Sequence, residues 1–207
     1  MGNGWTPTSH VVSPLIKANP PTTVKQMRSW IGSYKQLTDC IPGYAALLGP
    51  LEDVLGGRGS AERINWTESL LTTFDKCKKS LNDIKQVFIP KPSDILHTYS
   101  DYSAAEKAVG GRLEIHREED GKVKRFMGGH FSCRVNKHQQ HWHPCEGEAL
   151  AVRLVLEHFS HFIIENKNQC IHHTDIISQL FKHGGGARLE HFLPRPELQL
   201  SCQVSAL

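Results

Sequence analysis

The chain has 207 residues, 39% of them hydrophobic, with 24 Lys and Arg against 21 Asp and Glu, a formal charge of +3. That length can bury one good core or two small ones, and no segment reaches the roughly 18 uninterrupted apolar residues of a membrane span, so no membrane partner is expected. The charge permits nucleic-acid binding without arguing for it. Six scattered cysteines (Cys40, Cys77, Cys133, Cys145, Cys170, Cys202) form no CxxC pair and follow no secretory signal, which predicts reduced thiols in an intracellular protein, cytoplasmic or nuclear.

Residues 1–21 are rich in Gly, Pro, Ser and Thr, and their short apolar segment, Val11 to Ile16, is expected as an edge strand. From Thr22 the pattern turns helical: Val24, Met27, Trp30, Ile31, Tyr34 and Leu37 recur at spacings of three and four, with Thr22 or Thr23 placed to cap. Ile41-Pro42-Gly43 stops that helix, and a second, Tyr44 to Leu55, ends in Gly56-Gly57. A third begins after Trp66 with Thr67 as cap, Glu68 in its first turn, and Leu70, Leu71, Phe74, Cys77 and Leu81 on its buried side. Residues 22–88 therefore predict a small helical bundle.

At Pro90-Lys91-Pro92 the period changes from 3.6 to 2, so a second unit is expected over 89–183. Its strands are Ile95 to Ser100, Val109 to His116 and Lys122 to Cys133, the last two joined by a turn whose Asp120-Gly121 pair is a strong hairpin signal. A helix from His143 to Ile164 and a fourth strand near Gln169 to His173 follow. The order β-β-β-α-β implies an antiparallel hairpin sheet with one helical crossover, an α/β (α+β) architecture. After Gly184-Gly185-Gly186 and a short segment to Leu193 the period is lost, and 184–207 is expected to be an irregular tail.

One charge in the crossover helix is out of place. At about 100° per residue, Val152, Val155, Phe159, Phe162 and Ile163 share a side, and Glu148 lies near the middle of it, whereas Glu146 points with Arg153 and Glu157 to water. An ionised carboxylate at a core edge costs several kcal/mol unless a cation or hydrogen bonds compensate it. Acidic residues are also favourable in a first helical turn after a residue such as Pro144, which explains both glutamates equally well; only their facing separates them. Asp101 closes the predicted first strand and Asp175 the fourth. If those strands are neighbours, the helix between them brings Glu148 to the same rim. Three converging carboxylates call for a hard cation, Mg²⁺ or Mn²⁺, and two such ions about 4 Å apart suit phosphodiester cleavage.

Other motifs carry less. The run His138, His141, His143, Cys145 is too tightly spaced for the usual structural zinc patterns and reads as a polar loop before a helix. Gly110-Gly111 is open to two readings, a close approach of a nucleic-acid backbone or a bulge. Lys122, Lys124, Arg125, Arg134, Lys137 and His138 place positive charge around the third strand, a phosphate-contacting face or a solvated hairpin.

The segments SDYSAA, HWHPCEGEALAV and HHTD resemble, in order and spacing, the ribonuclease H domain of LTR-retrotransposon reverse transcriptases, the gypsy-type elements in particular. Upstream, PPTTVKQMRSWIGSYKQLTDCIPGYAALLGPLEDVL, INWTESLLTTFDKCKKSL and PKPSD are similar to the helical thumb-like segment that joins the polymerase to ribonuclease H in those Pol polyproteins. The resemblance spans roughly residues 5 to 193. It implies that 1–21 is a remnant of the palm and primer-grip hairpin, 22–88 a thumb-like connector and 89–183 a ribonuclease H-like mixed sheet. It implies Asp101, Glu148 and Asp175 as ligands of two Mg²⁺ (or Mn²⁺), an RNA–DNA hybrid as substrate, cleavage of its RNA strand, and the rest of Pol as partner. The family's domain continues to a fourth carboxylate. Glu190 and Glu197 are the only acids after Asp175, and Glu190 resembles part of an intervening helix. The domain is therefore expected to be C-terminally incomplete, its nuclease impaired, with no polymerase activity in this chain. The competing expectation is a non-catalytic remnant that binds nucleic acid or a protein through the same surface.

Overall fold

The computed structural model describes residues 4–165, 169–174 and 202–206. The helical unit forms as its caps dictate. Helix α2 (Val24–Lys35) starts at Thr23, whose hydroxyl accepts from the Gln26 N–H while the Gln26 side chain accepts from the Thr23 N–H, both at 3.3 Å. This reciprocal capping stabilises the end by about 1 kcal/mol. Helix α3 (Tyr44–Asp53) follows Gly43 at φ 64°, and α4 (Glu68–Ser80) starts where Thr67 accepts from the Leu70 N–H. Met27, Trp30, Tyr34, Leu48, Phe74 and Leu81 close one core between them, with the Trp30 and Phe74 rings 4.6 Å apart.

The segment expected as an edge strand is instead helix α1 (Ser9–Lys17). Val12, Leu15 and Ile16 stand at helical spacing and pack on that core, and Trp30 Nε1 donates to the Leu15 carbonyl at 3.3 Å. This packing outweighs the cost of Pro14 inside the helix. A two-residue strand, β1 (Gly4–Trp5), pairs antiparallel with β2 (Val87–Phe88) and ties the start of the chain to the seam between the two units.

Strands β3 (Ile95–Ser103), β4 (Ala108–Glu119) and β5 (Lys122–Arg134) form the expected meander. Asp120 and Gly121 both have positive φ, 56° and 71°, the backbone that a tight two-residue hairpin needs. The crossover runs through α5 (Pro144–His158) and a short α6 (Ser160–Glu165). The single helix expected through Ile164 is broken at Phe159, whose φ of −89° and ψ of 6° leave the helical region. Strand β6 (Cys170–Thr174) then pairs parallel to β3, so the condition that the first and fourth predicted strands be neighbours is met. The tail expected to be irregular contributes β7 (Cys202–Ala206), parallel to β6, and the sheet order is β5-β4-β3-β6-β7. Cys202, Val204 and Ala206 alternate with Gln203 and Ser205, a period-two signal too short to stand out by itself.

Alternation along β3 assigns its faces. Leu96, Thr98, Ser100 and Tyr102 are buried towards α5, where Val152, Val155, Leu156 and Phe159 meet Leu113 and Ile115 of β4. His97, Tyr99 and Asp101 point the other way.

Candidate active site

The first turn of α5 separates the two glutamates as the helical facing predicts. Glu146 is exposed and accepts from the His143 N–H at 2.8 Å, while His143 Nδ1 accepts from the Cys145 N–H at 3.3 Å. Glu146 and His143 thus cap the helix. Glu148, two residues further on and so on the other side of the helix, is 8% exposed, and its Oε1 accepts from the Tyr102 N–H at 3.3 Å. The Leu96 N–H donates to the Gln169 carbonyl, so every second amide of β3, including that of Tyr102, points to the β6 side. The Glu148 carboxylate therefore sits in line with the sheet, at the peptide group that joins Asp101 to Tyr102.

Asp101 differs from its expected place at a strand end. Strand β3 continues to Ser103, and Asp101 is exposed within it, paired with Gly110 on the face away from α5. Beside it lies a cavity of about 370 Å³ lined by Pro42, Gly43, Tyr99, Asp101, Gly110 and Arg112. The two adjacent glycines have different reasons. A Cβ on Gly111 would overlap the Val155 side chain and come within 2.9 Å of the Tyr99 carbonyl, whereas a Cβ on Gly110 meets nothing within 4 Å. Gly111 is there for helix packing, and Gly110 leaves the cavity floor open next to Asp101. The irregularity in the β4–β5 ladder falls at Leu113/Glu114, not at the glycines. Asp175, Glu190 and Glu197 lie outside the described residues.

Sequence reasoning missed His172. Fully buried, it bridges β6 to β3, with Nδ1 2.8 Å from Thr98 Oγ1 and Nε2 3.0 Å from Ser100 Oγ. Burial, with His173 beside it, pushes its pKa down to about 3, so it is a neutral strut at physiological pH. Its only signal is its place two residues from Cys170 and from Thr174, on the side of the strand that is buried. On the opposite face His97 Nδ1 is 2.8 Å from His173 Nε2, His173 stacks on Tyr99 at 4.6 Å, and the Arg112 guanidinium covers the Tyr99 ring at 4.1 Å. Arg112 also donates to Glu114 at 2.9 Å. Burial, with His116 and His173 adjacent, lowers the His97 pKa to about 4.

The positive charge around β5 is partly neutralised. Lys124 pairs with Glu119 and Arg134 with Asp53, each at 2.8 Å, which leaves Lys122 and Arg125 exposed on the same hairpin. Among the described residues no group of three or more His, Cys, Asp or Glu is arranged to hold a metal; the predicted carboxylate set includes Asp175, which lies outside them. Asp101 and Glu148 are hard oxygen donors, one open to solution and one held in place by a backbone N–H, a combination that fits a divalent cation of the Mg²⁺ or Mn²⁺ kind.

Residues 66–170 match the family described as the RNase H-like domain found in reverse transcriptase. The Transposon Tf2-3 polyprotein of Schizosaccharomyces pombe is 24% identical over 168 residues, which cover 77% of this chain and 11% of the polyprotein; the Tf2-4 polyprotein of the same yeast matches to the same extent. The gypsy-type resemblance is consistent with both. The chain thus spans about a tenth of the length of these curated relatives. Among solved structures, the foamy viral protease-reverse transcriptase in complex with RNA/DNA hybrid superposes with a TM-score of 0.72 at 13% identity, covering 97% of this chain and 27% of that one. The dRH form in complex with double-stranded DNA gives 0.76 at 14%, covering 97% and 35%. At such identities these superpositions show a shared fold and no more. The chain belongs to the family of RNase H-like domains found in reverse transcriptases.

Proposed function

We propose that this retroelement-derived domain cleaves the RNA strand of RNA–DNA hybrids with Mg²⁺ or Mn²⁺, and that Asp101, Glu148 and Asp175 are the metal ligands. The observation that carries the reading is the hydrogen bond from the Tyr102 N–H to Glu148 Oε1. It delivers a buried carboxylate from the crossover helix to the peptide group directly after Asp101. Asp175 joins the set on sequence alone, as the residue following Thr174 at the end of β6. The foamy viral relative of the same fold is described in complex with RNA/DNA hybrid, which supports the substrate class.

Divalent cations bound there supply a Lewis acid and an activated water for phosphodiester hydrolysis. The chain's own residues prepare the place. The Tyr102 N–H fixes the Glu148 carboxylate, the His172 strut holds β6 against β3, and Gly110 keeps the space beside Asp101 clear for a nucleic-acid backbone. Hybrid cleavage in Mg²⁺ and in Mn²⁺ tests the reading: activity that Asp101→Asn or Glu148→Gln removes supports it.

A second reading, a non-catalytic module that binds nucleic acid, is favoured by the exposed cations Lys122 and Arg125 on β5. Binding of hybrid with salt-sensitive affinity, and no cleavage in either metal, selects it.

A further inference from the structure

We infer that Tyr102 and Gly147 are a matched pair that positions Glu148, so that the metal affinity of this domain depends on a ring lying against a glycine between β3 and α5. The inference deepens the reading given under Proposed function and rests on it.

Gly147 is buried in α5, and a Cβ there would overlap Cδ1, Cε1 and Cγ of the Tyr102 ring. Glycine within a helix is about 1 kcal/mol less favourable than alanine, and here the close approach of the ring accounts for it. The ring is 8% exposed and belongs to the sheet core, opposite Val109 of β4. The same residue donates its main-chain N–H to Glu148 Oε1 at 3.3 Å. Two consecutive positions of the helix are thereby fixed to one residue of the strand, Gly147 through the ring and Glu148 through the backbone.

The far part of the helix is seated in the reciprocal way, since there the glycine is on the strand and the side chain on the helix: Val155 occupies the place that a Cβ on Gly111 would take. Gly147 and Gly111 together set the separation of α5 from the sheet. A methyl group at 147 cannot be absorbed by sliding the helix along, because Val155 is held at the other contact. It must lift the first turns of α5 by on the order of 1 Å to restore ordinary carbon–carbon separations. The N–O distance of 3.3 Å is already at the long end of a hydrogen bond, and such a displacement breaks it. Glu148 then loses the backbone group that aims it at the Asp101 peptide. Tyr102 is a positioning residue in this scheme and touches neither metal nor substrate.

The test is Mn²⁺ titration of the full chain by isothermal calorimetry, beside a thermal melt of each variant. Gly147→Ala is expected to weaken Mn²⁺ binding by about tenfold or more, the scale of losing a group that orients a ligand. Tyr102→Ala combined with Gly147→Ala removes the ring and makes room for the methyl while leaving the residue 102 N–H in place. It is expected to return the affinity to within about threefold of the parent although the melting temperature stays low. A purely structural role would lower the melts and leave the Mn²⁺ affinity unmoved, and that result overturns the inference. If Gly147→Ala does not melt cooperatively, the double variant decides: affinity near the parent supports the pair, and lost affinity overturns it. Asp101→Asn run in parallel separates the two levels. A parent that takes up no Mn²⁺, or an Asp101→Asn chain that takes it up equally, sinks the metal reading and this inference with it. Uptake lost in Asp101→Asn but intact in Gly147→Ala overturns the inference alone.

Discussion

The Arg134 guanidinium at the end of β5 grips the Asp53 carboxylate at the end of α3, Nη1 to Oδ1 at 2.8 Å and Nη2 to Oδ2 at 3.0 Å, and Nη1 also donates to the Gly49 carbonyl at 3.2 Å. This contact joins the helical unit to the sheet. A Cβ on Gly49 would stand 2.9 Å from Arg134 Cδ, so the helix backbone and the arginine stem approach each other closely. The charged groups are 38% and 62% exposed, which limits the pair to about 1 kcal/mol or less. Asp53→Asn is expected to cost no more than that, with the loss shrinking in high salt. Urea denaturation at two ionic strengths measures it, and a salt-independent loss of several kcal/mol would contradict this account.

Buried charge behaves differently at the entrance to the sheet. The Asp94 side chain is fully buried, accepts Arg117 Nε and Nη2 at 2.8 and 2.7 Å, and accepts the Lys91 N–H at 2.7 Å. Burial alone would raise its pKa, but the Arg117 and Lys91 donors reverse this and hold it below the usual carboxylate range. Asp94→Ala leaves Arg117 buried without its partner and is expected to cost about 3–5 kcal/mol. Asp94→Asn keeps the shape and part of the bonding and should cost less; equal losses from the two in chemical denaturation would argue against a charge effect.

The adjacent glycines of β4 separate stability from activity. Gly111→Ala places a methyl group in the Val155 side chain and is expected to lose about 1–3 kcal/mol. Gly110→Ala meets nothing within 4 Å, so its melt is expected to match the parent or exceed it slightly. A larger side chain enters the cavity beside Asp101, and Gly110→Leu should therefore keep the parent's melting temperature while reducing hybrid binding. Unchanged affinity for hybrid in Gly110→Leu would show that the cavity is not on the substrate path.

Stability should fall on mild acidification. The folded-state pKa of His172, about 3, lies below the ordinary value of about 6.5, so between these limits the unfolded chain binds the extra proton. Stability is fully present above pH 6.5 and is lost as the pH falls, by about 1.4 kcal/mol per pH unit where the linkage is complete. His97, lowered to about 4, acts in the same direction over the upper part of that window. Asp94, whose folded pKa is depressed, adds a loss of the same sign below the carboxylate range. Denaturation midpoints followed from pH 7.5 to 4.5 should decline, and His172→Gln should flatten the slope while lowering the plateau. A parent whose stability is constant over that range would refute the buried neutral strut.

Local chemistry that repeats along the chain was legible in the sequence. The period of Val24 to Leu37, the Thr67 cap, the Asp120-Gly121 turn and the facing of Glu148 against Glu146 each depend on neighbours within a turn or a hairpin, and the structure keeps all of them. The order of elements placed one helical crossover between the first and fourth predicted strands, and the fold makes those two, β3 and β6, neighbours. Tertiary packing decided the rest. Val11 to Ile16 is too short for its period to distinguish strand from helix, and the core of α2 and α4 settles it as α1. Phe159 breaks the long helix, and five residues near the chain end add a strand because β6 offers an edge. The face on which Asp101 stands, the strut at His172 and the fit of Tyr102 to Gly147 depend on register between segments 45 or more residues apart, where local pattern carries no information about distance. The sequence chose Glu148 as the misplaced charge, and only the fold supplied the backbone amide that holds it.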